Sequence, residues 1–200
     1  MADQTDPVER IVDSFEYSAE VMNNCAKKIP KDIAAAVRVL TACLRAGGTV
    51  AFAGNGGSAA QAQHLAGELV GRYLQDRRAY RSVALTTDTS ILTAVGNDFG
   101  YEQIFARQVQ GLLEAGDVLV VMSTSGNSPN ILRAVQQAKS QGIKTIGLTG
   151  SEGGALKDEA DWCIRVPEFN TPKIQEAHLA IGHILCELVE EAMIEIDEGA

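Results

Sequence analysis

The run Gly54-Asn55-Gly56-Gly57-Ser58, continued by Ala59-Ala60-Gln61-Ala62-Gln63-His64-Leu65-Ala66-Gly67-Glu68, joins two kinds of chemistry in one short stretch. Val50 and Phe52 predict a short buried strand, the glycine run its turn, and the alanine-rich segment a helix. A helix start offers unpaired N–H groups and the positive end of the macrodipole. The turn therefore suits a phosphate, with Ser58 available as cap or ligand contact. Farther along, His64 and Glu68 stand four positions apart, which puts imidazole and carboxylate on one helical face. There they could share a metal ion or a proton, or form an ordinary surface pair.

A second turn, Ser123-Thr124-Ser125-Gly126-Asn127-Ser128-Pro129-Asn130, follows an apolar segment at residues 117–122. Ser128 before Pro129 predicts a helix start with a serine cap. Hydroxyls, a glycine and a helix N-terminus thus converge at the carboxyl end of a strand, where open α/β sheets bind ligands. Two such turns on one edge of a parallel sheet make a phosphate cradle. Neither matches a nucleotide site: there is no Gly-x-x-x-x-Gly-Lys-Ser/Thr, and Gly54-x-Gly56 lacks the third glycine and the downstream acid of a dinucleotide fingerprint.

The elements that must hold these turns are legible from periodicity. Residues 7–46 carry apolar positions at three- and four-residue steps, interrupted by Pro30, which predicts a helical hairpin or a bent helix. Four further short apolar segments, at 81–85, 117–122, 144–149 and 161–166, read as strands covered on both faces. Helical stretches at 91–95, 104–113 and 131–141 lie between them, and 174–195 closes the chain as one long helix. Such alternation predicts an α/β fold: a three-layer sandwich around a five-stranded parallel, doubly wound, flavodoxin-like sheet, in one domain over residues 1–200. Residues 1–46 form its helical extension and 48–196 its core. In the flanking helices Ile11, Phe15, Leu40, Leu185 and Leu188 exceed what one small sheet needs for cover, which favours helix-mediated oligomerisation.

Composition narrows the function classes. A formal net charge of −9 disfavours a nucleic-acid surface, so an anionic ligand must be held by local donors. No apolar run approaches membrane-spanning length and the polar, acidic start has no signal-peptide pattern, so a cytoplasmic location is expected. Cys25, Cys43, Cys163 and Cys186 are far apart and read as buried free thiols.

Taken together, these residues resemble the sugar isomerase (SIS) domain and, within it, the phosphoheptose isomerases, over about residues 48–189. The resemblance rests on Gly54-Asn55-Gly56-Gly57-Ser58, Gln63-His64-x-x-x-Glu68, Leu85-Thr86-Thr87-Asp88, Val95-Gly96-Asn97-Asp98, Ser123-Thr124-Ser125-Gly126-Asn127-Ser128 and Gln175-Glu176-x-His178-x-x-x-x-His183. It implies aldose–ketose isomerisation of sedoheptulose 7-phosphate to D-glycero-D-manno-heptose 7-phosphate, for bacterial heptose biosynthesis. By matching position, it implies zinc held by His64, Glu68, Gln175 and His183, and no nucleotide or redox cofactor. Substrate contacts would come from Asn55, Gly56, Gly57, Ser58, Glu68, Asn97, Asp98, Ser123, Thr124, Ser125, Ser128 and Gln175, with Glu68 and His183 as the proton-transfer pair. It also implies a homotetramer with sites at subunit interfaces. The fold's other use is a non-catalytic tetramer similar to replication-initiator-associating regulators, which tend to lose the equivalents of Glu68 and His183.

Two features resist simple transfer. Gln175 and His183 stand about 12 Å apart along one regular helix, so Gln175 should sit at or before the helix start, or the two must converge from different subunits. Gln61 occupies a position where the family commonly carries Asp, one turn before His64. His178 is expected to pack or to support a ligand rather than to be one.

Overall fold

The computed structural model describes residues 6–198. Strands β1 (Val50–Gly54), β2 (Ser82–Ala84), β3 (Val118–Met122), β4 (Lys144–Thr149) and β5 (Trp162–Arg165) form one parallel sheet in the order β2-β1-β3-β4-β5. Phe52 pairs with Ala84 on one side and with Val120 on the other, so β1 and β3 end level with each other.

Side chains alternate across this sheet and so divide the core in two. Val50, Phe52, Val118, Val120, Met122, Ile146, Leu148 and Ile164 point to one face, beneath α1 (Pro7–Lys28), α2 (Pro30–Arg45), α3 (Gly57–Val70) and α8 (Thr171–Glu198). Ala51, Ala53, Leu119 and Val121 point to the other, beneath α5 (Ile104–Leu112), α6 (Pro129–Ser140) and α7 (Leu156–Glu159), with α4 (Thr89–Phe99) at its margin. The expected three layers and five parallel strands are present. The strand order reverses between β1 and β3, which sends α3 to one face and α6 to the other. Their N-termini therefore flank a crevice at the carboxyl ends of the two central strands.

Several boundaries differ from expectation. α8 starts at Thr171, with Pro172 in its first turn where a missing N–H costs nothing, and runs unbroken to Glu198. Gln175 therefore lies inside the helix, not at or before its start. α7 and a single 3-10 turn at Tyr101–Gln103 are too short to carry a periodic signal. Leu40 and Leu185 belong to the core, so they are not surplus apolar surface, whereas Ile11 and Phe15 are exposed, Phe15 at 73 %.

Candidate active site

The first turn is built for close approach. Gly56 caps α3 and Gly57 opens it, so Ser58 is not the cap; it is buried in the first helical turn. A β-carbon on Gly57 would come within 3.0 Å of the Gln175 amide, which places that side chain of α8 against the start of α3. Gln61 ties the same two helices together by donating to the Gln175 carbonyl oxygen at 2.7 Å.

The second turn is cross-linked from several directions. Ser123 and Ser128 share a hydrogen bond at 3.0 Å, so the Ser128 hydroxyl does not cap α6 although the residue stands at the cap position. Ser125 Oγ accepts from the Asn127 N–H at 3.2 Å, and Asn127 Oδ1 accepts from Ala155 N at 2.9 Å. Gly126 has φ +67°, and a β-carbon there would overlap the Gly153 carbonyl oxygen, so only glycine fits. Thr124 and Ser125 open onto a cavity of about 200 Å³, whose other polar walls are Ser151, Glu152, Glu168 and Thr171. Two larger hollows, about 570 and 400 Å³, lie on α2 and α8 and are lined mostly by alkyl groups, and a polar one of about 260 Å³ lies between α5 and α6, lined by Gln103, Arg133 and Gln137 and by no residue of either turn.

A reciprocal amide pair couples the two turns. Asn55 donates to Asn130 Oδ1 at 2.9 Å and accepts from Asn130 Nδ2 at 2.8 Å, while the Tyr101 hydroxyl also donates to Asn55 Oδ1 at 3.1 Å. Asn97 and Asp98 lie exposed near the end of α4, hydrogen-bonded to each other at 2.7 Å. Asp88 caps that helix by accepting from Ile91 N, and Thr86 binds the Ala59 carbonyl of α3.

The titratable cluster sits where α3 meets α8. His64 Nε2 and His183 Nε2 are 2.8 Å apart, and His64 Nε2 is 3.4 Å from Glu68 Oε1, with His64 and Glu68 side chains 44 % and 22 % exposed. Two ring nitrogens this close must share a proton or a small cation between their lone pairs. Among the described residues no three His, Cys, Asp or Glu groups stand as a formed metal site. The donor types nevertheless fit a divalent ion, since two imidazoles and a carboxylate are a common catalytic set. Gln175, against Gly57, is not gathered with them.

His178 has a different role. It is wholly buried and bonds the Thr149 carbonyl through Nε2 at 3.2 Å, and burial pushes its imidazole down to about 4, partly offset by that carbonyl. It is a neutral strut beneath the carboxyl end of β4.

The SIS domain family model matches residues 14–150, which include both turns and His64 and Glu68 but stop before α8. A phosphoheptose isomerase of Rhodospirillum rubrum is 58 % identical over 161 residues, covering 80 % of this chain and 86 % of that protein. The chain belongs to the phosphoheptose isomerase family. Two solved structures agree. The phosphoheptose isomerase of Francisella tularensis superposes with a TM-score of 0.90 at 39 % identity, over 94 % of this chain and all of that one. The Neisseria gonorrhoeae phosphoheptose isomerase gives 0.86 at 40 % identity, over 92 % and 98 %.

Within this phosphoheptose isomerase fold, the site has members that sequence reasoning missed. Asn130, only 2 % exposed, gives no local cue beyond its place after Ser128-Pro129. Ser151, in the loop after β4, and Thr171, the first residue of α8, reach the cavity without a motif. Tyr73 lays its ring 5.7 Å from His183, and nothing in its neighbours in sequence signals it.

Proposed function

We propose that the chain interconverts sedoheptulose 7-phosphate and D-glycero-D-manno-heptose 7-phosphate through an enediol, as an aldose–ketose isomerase. The observation that carries this reading is the convergence of Glu68, His64 and His183 on the helix that begins at the first turn and on the helix packed against it.

The chemistry divides between these groups. Hydroxyls and N–H groups of Ser123, Thr124, Ser125 and Ser128 bind the phosphate, while Asn55, Gly56, Gly57, Ser58, Asn97, Asp98 and Gln175 orient the sugar. Glu68 takes the C1 proton of the ketose as His183 protonates the C2 carbonyl oxygen. The enediol then returns its C1 hydroxyl proton to His183, and Glu68 delivers its proton to C2. Zinc, held by His64, Glu68 and His183 with Gln175 reaching it from a neighbouring subunit, would polarise the sugar oxygens when bound.

Supporting a homotetramer with shared sites are the exposed Ile11 and Phe15, the apolar groove between α1, α2 and α8, and the roughly 12 Å between Gln175 and His183 along α8. No described helix is long and apolar enough to cross a membrane, and we place the reaction in the cytoplasm. A non-catalytic scaffold is not favoured, because Glu68 and His183 are both present and close to His64.

The test is isomerisation of sedoheptulose 7-phosphate with exchange of its C1 proton in deuterated water. Chelation should abolish turnover and added zinc restore it. No isomerisation of any heptose phosphate by the metal-loaded chain would overturn the proposal.

A further inference from the structure

Beyond the end of α3, residues 72–80 have no regular structure, yet they hold a buried ion pair. Arg77 Nε meets Glu190 Oε1 at 2.9 Å, with the two side chains 3 % and 2 % exposed. The guanidinium also grips the carbonyl end of α3: Nη2 donates to Glu68 O at 2.9 Å, and Nη1 to Leu69 O at 3.0 Å and Gly71 O at 3.1 Å. A cation at the last carbonyls complements the helix dipole. Glu190, on α8, accepts the N–H groups of Tyr73, Leu74 and Gln75 at 2.8, 2.8 and 2.9 Å. Both carboxylate oxygens are therefore filled.

The pair lies on the same helix contact as the proton-transfer cluster. Glu190 follows His183 by seven positions, two turns along the same stripe of α8. Glu68 supplies its carboxylate to the cluster and its carbonyl to Arg77. Tyr73, whose N–H is held by Glu190, covers His183 with its ring. Level with the cluster, Gly182 lets α8 press onto α3: a β-carbon there would fall 2.6 Å from Leu65. Apolar contact of this kind holds helices together but does not fix how far one slides along the other. Apolar residues would fill the place of a buried ion pair at no greater cost in stability, so its directional bonds are the distinctive contribution.

We infer that Arg77 and Glu190 are positioning residues for the isomerisation proposed above, setting the axial register of α3 against α8 so that Glu68, His64 and His183 meet. Displacements of even an ångström at reacting groups cost about 10²-fold in rate.

Glu190→Gln puts an amide N–H₂ against groups that all donate. In the full chain, kcat should fall 10- to 100-fold with KM and calorimetric affinity for sugar phosphate within threefold of the parent. The nuclear Overhauser contact between the Tyr73 and His183 rings should disappear, and the Tyr73, Leu74 and Gln75 amides should exchange faster. Arg77→Lys keeps the charge without the fork and should retain an intermediate kcat. The double variant Arg77→Met with Glu190→Met strands no charge; it should fold and show the same kcat loss. Parent-like kcat in either folded variant, or equal losses in kcat and affinity, would overturn the inference, as would failure of both variants to fold. If the parent itself turns over no sugar phosphate, the proposed reaction fails, and the ring contact decides alone: its persistence in Glu190→Gln overturns the positioning role and its loss supports it.

Discussion

The Ser123–Ser128 turn and the cluster of His64, Glu68 and His183 are built on opposite plans. Ser123–Ser128 grows directly from a central strand and is pinned by bonds to the loop after β4 and to the start of α7, including Gly150 N to Thr124 O and Leu156 N to Gly126 O, each at 3.0 Å. His64, Glu68 and His183 instead project from two helices that touch outside the sheet, and His64 is nearly half exposed. A cradle preformed by the sheet spends little ordering energy on binding. A cluster made by helix contact can shift by fractions of an ångström, which suits groups that exchange protons or admit an ion. Binding and turnover should therefore be separable by mutation.

The largest effect tests that separation directly. Glu68→Gln keeps the side chain's size but removes its basicity, so kcat should fall roughly 10²–10⁴-fold while calorimetric affinity for sugar phosphate is preserved. Near-normal C1 proton exchange in the folded variant would remove Glu68 as the base. On the other side of the comparison, Gly126→Ala strikes a position that is both left-handed and in contact with Gly153. Urea unfolding should show a loss of about 3 kcal/mol, since strain and overpacking act together. A variant as stable as the parent would mean that the turn is not rigid.

His178 tests the floor beneath that turn. The unfolded imidazole takes a proton below about 6.5, whereas the buried one resists until about 4. The unfolded state thus binds more protons in that window. Stability is fully present above pH 6.5 and declines by about 3 kcal/mol as pH falls to 4. Unfolding titrations of His178→Asn should lack this acid slope; an unchanged slope would assign it to other groups. The smallest effect is Ser125→Ala, which should weaken sugar-phosphate binding by about 1–3 kcal/mol and leave saturated turnover near normal. Unchanged affinity would place the phosphate elsewhere.

What the sequence discloses follows the range of each interaction. The strands, the two turns and the pairing of His64 with Glu68 depend on neighbours within one or two turns, and periodicity or composition reveals them. The serine at position 128 marks a helix start correctly, but its hydroxyl turns to Ser123, a choice set by three-dimensional packing. Asn55 with Asn130, and Arg77 with Glu190, join positions 75 and 113 apart, and no local pattern encodes such partners. The length of α8 escapes too: Thr171 and Pro172 open it without an apolar residue to mark the face it buries.

Among the described elements, α8 is also the last to leave the ribosome. Chains are synthesised from the N-terminus, and the strands, both turns, His64 and Glu68 precede it. Ile174, Ala177, Ile181, Leu185, Cys186, Val189 and Met193 are the buried residues with which it joins the core shared with Phe52, Val120 and Ile146. Until those residues arrive, one side of the nascent sheet is left without that cover and His183 does not yet exist. The same helix that closes the hydrophobic interior thus also brings His183 to His64 and Glu68, so a chain that stops before α8 carries only part of that cluster.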